Sequence, residues 1–258
     1  MKKLLLILLC LPIIVLAQKT YVPDDAFETY LENNGMGDGI ALNDSVLTSA
    51  IDTSTNLDYM NYKGIYDLTG LEAFVNLTML GVDGNYLTTL DVSNNTKLTD
   101  IYCANNNLTT IDVSNNILLD DLYCNNNQIS DIDVSANINL RQLYVHNNQL
   151  TSLDLRNGNN TNLYPFKCYG NPNLLCINVD DTTYSNSNWF LWFNNDMDPQ
   201  NYFSENCPIL SIKEHATNKE LLKVTDLLGR ETKGTKNKVL FYIYDDGTVE
   251  KRIVIEQL

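Results

Sequence analysis

The 258-residue sequence has little positive charge: 17 Lys and Arg stand against 32 Asp and Glu, and there are only two histidines. A chain with a net charge of -15 is repelled by nucleic acids and by anionic lipid surfaces, and it attracts cations or basic partners. The composition therefore argues against nucleic-acid binding unless a metal ion intervenes.

Familiar catalytic motifs are also missing. The sequence has no Cys-x-x-Cys, no His-Glu-x-x-His, no phosphate-cradling glycine loop and no serine elbow. We therefore predict that the protein is not an enzyme and needs no cofactor. An enzyme remains an alternative, because two of the many carboxylates could form a catalytic pair. Turnover of an envelope substrate would reveal it.

Beyond the N-terminus, no apolar run approaches the roughly 18 to 20 residues that a membrane span requires. The N-terminus itself has Lys2 and Lys3, an apolar stretch from Leu4 to Leu16, and a small residue at Ala17. This order is typical of a secretory signal peptide, here residues 1–17. We expect a soluble, exported chain that begins at Gln18, without a membrane span.

The charge is distributed unevenly along the remaining chain. Residues 18–207 contain 6 Lys and Arg against 24 Asp and Glu, a net charge of -18, whereas residues 208–258 contain 9 against 8, a net charge of +1. This change in composition predicts a domain boundary near Cys207 and Pro208.

A repeat of 21 residues runs through the middle of the chain. Its copies are LTMLGVDGNYL from Leu77, LTDIYCANNNL from Leu98, LDDLYCNNNQI from Leu119, LRQLYVHNNQL from Leu140 and, two residues late, LYPFKCYGNPNL from Leu163. Each fits the pattern L-x-x-L-x-L-x-x-N-x-L, which is typical of a solenoid whose turns bury their apolar residues against each other.

The pattern predicts three columns of buried residues. The first is Leu80, Ile101, Leu122, Leu143 and Phe166. The second is Val82, Cys103, Cys124, Val145 and Cys168. The third is Asn85, Asn106, Asn127, Asn148 and Asn171, whose amides can satisfy backbone groups where the chain bends inward.

These copies, with LTTLDVSNN on the outer side of a turn, resemble the leucine-rich repeat family in its short bacterial version, and the irregular first repeats resemble those of internalins. The resemblance covers roughly Leu57 to Leu174 and implies an α/β or mainly β solenoid. We expect an N-terminal helical cap at 18–56, built on YVPDDAFETYLE, leucine-rich repeats at 57–174 and a C-terminal cap at 175–207. In that last cap, Trp189, Phe190, Trp192 and Phe193 can cover the final turn.

Five cysteines remain after the signal peptide, so at least one thiol is free or bonded to another chain. Cys176 and Cys207 bracket the C-terminal cap, and we predict that they form a disulfide in an exported protein. Cys103, Cys124 and Cys168 are expected to be inert core residues, because they replace Val in a buried column.

Positions between the inward residues line the concave surface, since residues on a strand alternate between its faces. There Tyr102, Tyr123 and Tyr144 should form a stripe with a spacing of about 4.8 Å. Their predicted neighbours in a ligand site are Asp100, Asp121, Gln142 and His146. His146 faces outward and Cys124 inward, so they cannot form a nucleophile pair.

Such a stripe suits sugar rings or the apolar and cationic side chains of a protein. We therefore predict a non-enzymatic binding protein that recognises a protein or glycan at the cell surface. The alternative is a structural or adhesive spacer without a specific ligand, since tyrosine also favours strands and its stacked copies stabilise a sheet.

A second file of like residues lies on the opposite side of the turns: Asp91, Asp112, Asp133 and Asp154. Carboxylates of neighbouring turns could share a calcium ion. Alternatively, each Asp accepts backbone hydrogen bonds within its own turn, which is the interpretation we favour.

The last segment, residues 208–258, predicts a small separate β unit. Val239–Tyr244 and Val249–Ile255 are strand-like and joined by DDG, and LLKVTDLLGR supplies a further strand. KVTDLLGR and GTVEKRIVI resemble the C-terminal sorting domain of Bacteroidetes-type proteins. That resemblance implies a type IX secretion machinery as partner and a secreted or cell-surface location.

Overall fold

The computed structural model describes residues 18–189, 196–207, 221–225, 230–232, 239–244 and 249–253. The chain divides into two compact units after Pro208. The predicted signal peptide, residues 1–17, lies outside the described residues, as do Phe190, Trp192 and Phe193 of the C-terminal cap.

The first unit begins with a small cap of two strands and two helices. These are β1 (Lys19–Tyr21), α1 (Asp25–Asn33), β2 (Ser45–Leu47) and α2 (Thr48–Ile51). β1 and β2 pair antiparallel. Among the described residues, no helix is long and apolar enough to cross a membrane.

Helix α1 begins after Asp24, whose carboxylate accepts hydrogen bonds from the backbone N–H groups of Ala26 and Phe27, both at 2.9 Å. Such an N-cap satisfies donors that the first turn leaves unpaired. Phe27 and Leu31 of this helix are fully buried, and the ring of Phe27 lies 6.3 Å from that of Phe74. The predicted helical cap is therefore present, and it covers the apolar end of the solenoid.

The repeats fold into a parallel solenoid in which each turn contributes a short strand. In chain order the strands are β3 (Asn56–Leu57), β4 (Met79–Gly81), β5 (Asp100–Tyr102), β6 (Asp121–Tyr123), β7 (Gln142–Tyr144), β8 (Leu153–Asp154) and β9 (Phe166–Lys167). All except β8 form one sheet with the order β3-β4-β5-β6-β7-β9. Its register places Leu80, Ile101, Leu122, Leu143 and Phe166 side by side, as predicted.

Both predicted apolar columns lie in the core. Every member of the first column and every member of the second is at most 4 % exposed. Cys103, Cys124 and Cys168 carry free thiols in this core. Burial raises the pKa of all three thiols, that of Cys124 to about 12, so they remain protonated and unreactive at neutral pH.

The column of asparagines joins successive turns. Asn127 donates from Nδ2 to the carbonyl oxygens of Cys103 at 3.0 Å and Cys124 at 3.1 Å, while its Oδ1 accepts from the N–H of Leu108 at 2.9 Å. Asn106 and Asn148 make the corresponding bonds one turn away on either side. Each amide thus satisfies backbone groups of two turns at once.

A second asparagine column, which the sequence analysis missed, runs along the outer bend: Asn95, Asn116 and Asn137. All three are fully buried, and Asn116 donates from Nδ2 to the carbonyl oxygens of Val92 at 3.2 Å and Asn95 at 2.9 Å. The recurring Asn at this position of DVSNN was the available signal.

The C-terminal cap adds β10 (Cys176–Asn178), α3 (Thr182–Asn188) and β11 (Tyr202–Ser204). β8, β10 and β11 form a second parallel sheet with the order β11-β10-β8. Trp189 is 4 % exposed, and its ring lies 5.4 Å from the rings of both Phe166 and Phe203. The predicted Cys176–Cys207 disulfide is present, with 5.7 Å between the two Cα atoms.

The second unit contains three antiparallel strands in the order β12-β13-β14. They are β12 (Leu221–Thr225), β13 (Val239–Tyr244) and β14 (Val249–Ile253). β13 matches the predicted strand, and β14 ends two residues before the predicted Ile255. The DDG turn lies outside the described residues.

The asparagine column predicts a large loss of stability when one member is removed. Asn127→Ala leaves the buried groups at Cys103, Cys124 and Leu108 without a side-chain partner, each at a cost of about 1–3 kcal/mol. We expect the free energy of unfolding to fall by about 2 kcal/mol or more in a urea titration. Asn107→Ala, at an exposed position beside Asn106 in the preceding turn, should change it by less than about 0.5 kcal/mol. Equal losses in the two variants would contradict the assigned role.

Removal of the disulfide is expected to lower stability as well, but only in the C-terminal cap. The disulfide closes a loop with a sequence separation of 31, and cross-links of this length stabilise by roughly 3 kcal/mol in the chain-entropy model. A Cys176→Ser, Cys207→Ser double variant should therefore show faster amide hydrogen exchange in β10 and β11. The central strands β5 and β6 serve as the internal reference, and faster exchange there would point to a global effect instead.

Candidate functional site

The tyrosine stripe exists as predicted in register and spacing. Tyr102, Tyr123 and Tyr144 occupy equivalent places in β5, β6 and β7. Their ring centroids are 4.8 Å apart in the first pair and 4.2 Å apart in the second, where the rings are stacked. All three side chains are half-buried. The stripe thus offers a ligand a continuous aromatic surface made of partly exposed tyrosine rings.

Beside the stripe runs a polar file formed by Asp100, Asp121 and Gln142, which are also in register. Tyr123 donates from its hydroxyl to Oε1 of Gln142 at 2.7 Å, and Gln142 donates from Nε2 to Oδ2 of Asp121 at 2.9 Å. At the end of the file, the hydroxyl of Tyr102 donates to Oδ1 of Asp100 at 3.3 Å. The polar file therefore fixes the orientation of the tyrosine rings.

Asp121 is the member of the polar file with an unpaired side-chain oxygen. It is 7 % exposed, and its Oδ1 has no hydrogen-bond partner among the described residues. Burial raises the pKa of this carboxyl, and the neighbouring carboxylates of Asp120 and Asp100 raise it further. The charge of Arg141 and the hydrogen bond from Gln142 lower the pKa but do not cancel this rise.

The same environment acts on the tyrosine hydroxyls. Burial, followed by the charges of Asp100 and Asp121, raises the pKa of Tyr102 well above its usual value. Burial also raises the pKa of Tyr123 to about 12, with further contributions from Tyr144 and Asp121. Both hydroxyls consequently remain protonated hydrogen-bond donors over the whole physiological range.

His146 lies on the predicted face but is largely covered, with 9 % of its surface exposed. Its ring stacks on Tyr169 at 4.5 Å and is tilted against Tyr144 at 6.0 Å. Burial lowers the pKa of His146, and the charge of Lys167 lowers it further. His146 therefore packs against the neighbouring rings and exposes little of its own ring to a ligand.

Three residues that the predicted ligand set did not include complete this end of the stripe. Lys167 is in register with Tyr144, and its Nζ lies 5.3 Å from the centroid of that ring. The same Nζ lies 3.4 Å from Oδ1 of Asp196. The register gave a signal for Lys167 and for Tyr169, because both occupy exposed positions of the fifth copy. Asp196 comes from the C-terminal cap and carried no repeat signal.

The opposite file has the geometry of the hydrogen-bonding alternative. Each of its aspartates accepts, at 2.8–3.0 Å, the backbone N–H two residues further on. Hydrogen bonds from the side chains and then the backbone of Ser93 and Ser114 lower the pKa of Asp91 and Asp112, and Arg156 lowers that of Asp154. Within the described part of the chain, the one group of three side chains close enough to share a metal ion is elsewhere, at Asp25, Glu28 and Asp44.

Comparison with known proteins identifies the fold. No family model matches the chain, and no curated protein matches it. The functional domain of InlJ from Listeria monocytogenes, which includes a cysteine ladder, is 30 % identical with a TM-score of 0.51. That match covers 63 % of this chain and 38 % of the other, so this chain spans well under half the length of that relative.

Two further structures are similar. The internalin inlF from Listeria monocytogenes is 24 % identical, with 61 % of this chain and 50 % of the other covered and a TM-score of 0.48. The LRR ectodomain of the receptor kinase SOBIR1 from Arabidopsis thaliana is 19 % identical, with 58 % and 94 % covered and a TM-score of 0.44. Together with the observed turns, the similarity to the InlJ domain shows that the chain has a leucine-rich repeat solenoid fold.

The environment of the stripe predicts an unusual alkaline titration. A tyrosine ordinarily ionises near pH 10, and the raised pKa of Tyr123 postpones its ionisation to about 12. Because the folded state holds this proton more tightly than the unfolded state, its contribution to stability is present below pH 10 and is lost as the pH rises towards 12. Absorbance at 295 nm should show a late step that Tyr123→Phe reduces. A late step of unchanged size in Tyr123→Phe would contradict this assignment.

Proposed function

We propose that this chain is an exported, non-enzymatic leucine-rich repeat binding protein that recognises a surface protein or glycan on its concave tyrosine stripe. One observation carries the proposal: three half-buried tyrosine rings stand in register and are joined to a polar file of Asp100, Asp121 and Gln142. Solenoids commonly bind ligands on the extended concave surface that their curvature creates.

The chemistry of the stripe supports recognition. Tyrosine offers a large, rigid contact surface with a polar tip and loses little conformational entropy on binding. Here the rings are already held by their neighbours and by the bonds to Gln142 and Asp100. A ligand would therefore meet a pre-organised surface, which lowers the cost of association.

The cysteine thiols give no support to a catalytic role. The three free thiols are buried and protonated, so they supply no thiolate nucleophile. Binding of an intact ligand is accordingly the proposed role of the concave face.

Three features support an exported location. The Cys176–Cys207 disulfide suits an oxidising compartment. Residues 1–17 have the order of a secretory signal peptide. The resemblance of residues 208–258 to a sorting domain adds the type IX secretion machinery as a proposed partner.

A structural spacer is the alternative, and one observation favours it. The hydroxyl groups of Tyr102 and Tyr123 already donate to Asp100 and Gln142, so the stripe can serve to stabilise the sheet without any ligand. In that case the solenoid supplies length at the cell surface, and the tyrosines are neutral towards partners.

Replacement of the stripe separates the two functions. We expect a Tyr102→Ala, Tyr123→Ala, Tyr144→Ala variant of the whole chain to lose any ligand found in a screen of envelope glycans and surface proteins. Truncation of central aromatic anchors costs about 2 kcal/mol or more each, so the combined loss should exceed a hundredfold in Kd. The screen is to be run with and without calcium, and the variant's fold checked by circular dichroism.

A matched variant controls for the general loss of aromatic surface. Tyr59, Tyr66 and Tyr86 are exposed outside the stripe, and their replacement by Ala should leave binding unchanged. Absence of any ligand, or a ligand retained by the stripe variant, would favour the spacer.

A further inference from the structure

We infer that the Tyr102 end of the stripe binds a cationic side chain, arginine or lysine, of a protein partner, with Asp100 and Asp121 as its counter-charges. This inference rests on the binding role proposed above and specifies the ligand of that same surface. It is carried by the register of the stripe, by an unpaired carboxylate oxygen and by a parallel within the chain itself.

The stripe ends abruptly at Tyr102. The next position in register is Gly81, which has no side chain to cover that side of the ring. A Cβ atom at Gly81 would come within 2.5 Å of the backbone oxygen of Asp58 and 2.8 Å of its Oδ1. No further ring can therefore follow Tyr102, and a carboxylate-bearing residue of the preceding turn lies against Gly81 instead.

Negative charge gathers around Tyr102. Asp100 and Asp121 both act electrostatically on its hydroxyl, and Asp83 lies two positions beyond Gly81 in the neighbouring turn. Asp83 is itself half-buried; burial raises its pKa, against a hydrogen bond from the N–H of Ala104, and the charge of Asp58 adds to the rise. Four carboxylates therefore belong to this end of the stripe, one from each of four successive turns.

One oxygen of Asp121 lacks a hydrogen-bond donor. Its Oδ2 is bonded to Gln142, whereas its Oδ1 is buried and unbonded among the described residues. A buried carboxylate oxygen without a donor is costly, and a guanidinium or ammonium group supplies donors together with the opposite charge. The terminal torsion of aspartate is broad, so a small rotation can present Oδ1 to an incoming donor.

Arg141 acts on Asp121 through its charge but gives it no hydrogen bond. Its charge lowers the pKa of Asp121, which the other influences still leave raised. Its Nε and Nη2 both bond to the carboxylate of Asp120. That bidentate pair commits the guanidinium, so Oδ1 of Asp121 keeps no donor among the described residues.

The opposite end of the stripe shows the proposed arrangement with a residue of this chain. Lys167 follows Tyr144 in register, its ammonium lies over that ring, and Asp196 provides the counter-charge. A cation above an aromatic ring is attracted by the ring electrons, more strongly so when it is partly desolvated. At Tyr102 the ring and the carboxylates are in place, and the cation is supplied by the partner.

A cationic protein segment also fits the charge of the whole unit. Residues 18–207 carry a net charge of -18, which raises the encounter rate of basic partners. A neutral glycan could stack on the rings, but it brings no positive charge to Asp121. The observations thus favour a protein ligand over a glycan at this end of the stripe.

The test is a titration of the whole chain with the peptide acetyl-Gly-Gly-Arg-Gly-Gly-amide, followed by the NMR signals of the tyrosine rings. Its counterpart contains citrulline, which keeps the shape of arginine but is neutral. We expect the arginine peptide to shift the signals of Tyr102 and to bind roughly tenfold more tightly than the citrulline peptide. Asp121→Asn should remove this preference, because it keeps an acceptor for Gln142 while abolishing the charge.

Asp112→Asn is the matched control. It removes one negative charge from an exposed aspartate of the opposite file, so the two variants have the same net charge. The arginine preference should survive in it. If Asp121→Asn fails to fold, Asp100→Asn carries the same expectation.

Equal binding of the two peptides, no binding of either, or equal behaviour of Asp121→Asn and Asp112→Asn would overturn the inference. A parallel titration with maltohexaose distinguishes this failure from that of the proposed function. A sugar that binds the stripe and needs the tyrosines but not Asp121 would overturn the cationic ligand and leave the binding role intact. Loss of every tyrosine-dependent ligand in the wider screen would overturn both.

Discussion

The structure depends on one repeated interaction, the hydrogen bonding of buried asparagine amides to the backbone of two neighbouring turns. Asn106, Asn127 and Asn148 each bridge a carbonyl of their own turn and one of the turn before. Unpaired backbone groups in the core would be costly, so these amides hold the turns at a constant rise and rotation. The apolar columns then pack without gaps, and the exposed positions fall into straight files.

That regularity turns a sequence repeat into a surface. Because the rise from turn to turn is constant, a tyrosine at one exposed position of three copies becomes three rings in contact. The polar file beside it arises in the same way from Asp100, Asp121 and Gln142. The concave face is therefore a product of the core, and its chemistry varies only where the copies differ, as at Gly81 and Lys167.

Much of this was predictable because a 21-residue period fixes both the inward columns and the outward files. The register of Leu122, the burial of Cys124 and the stacking of Tyr123 all follow from spacing alone. Contacts that depend on residues far apart in sequence did not follow: Asp196 reaches Lys167 from the C-terminal cap. The near burial of His146 likewise depends on Tyr169, whose copy is displaced by two residues. The unpaired oxygen of Asp121 could be found only from side-chain positions.

Gln142 connects the side chains of two neighbouring turns. It accepts from Tyr123 and donates to Asp121, so a ring and a carboxylate of one strand share a single amide from the next. Residues joined in this way do not contribute separately, and their effects on affinity and stability are coupled. These two turns thus behave as one thermodynamic unit, in which exchanging one copy for another would alter the properties of its neighbour.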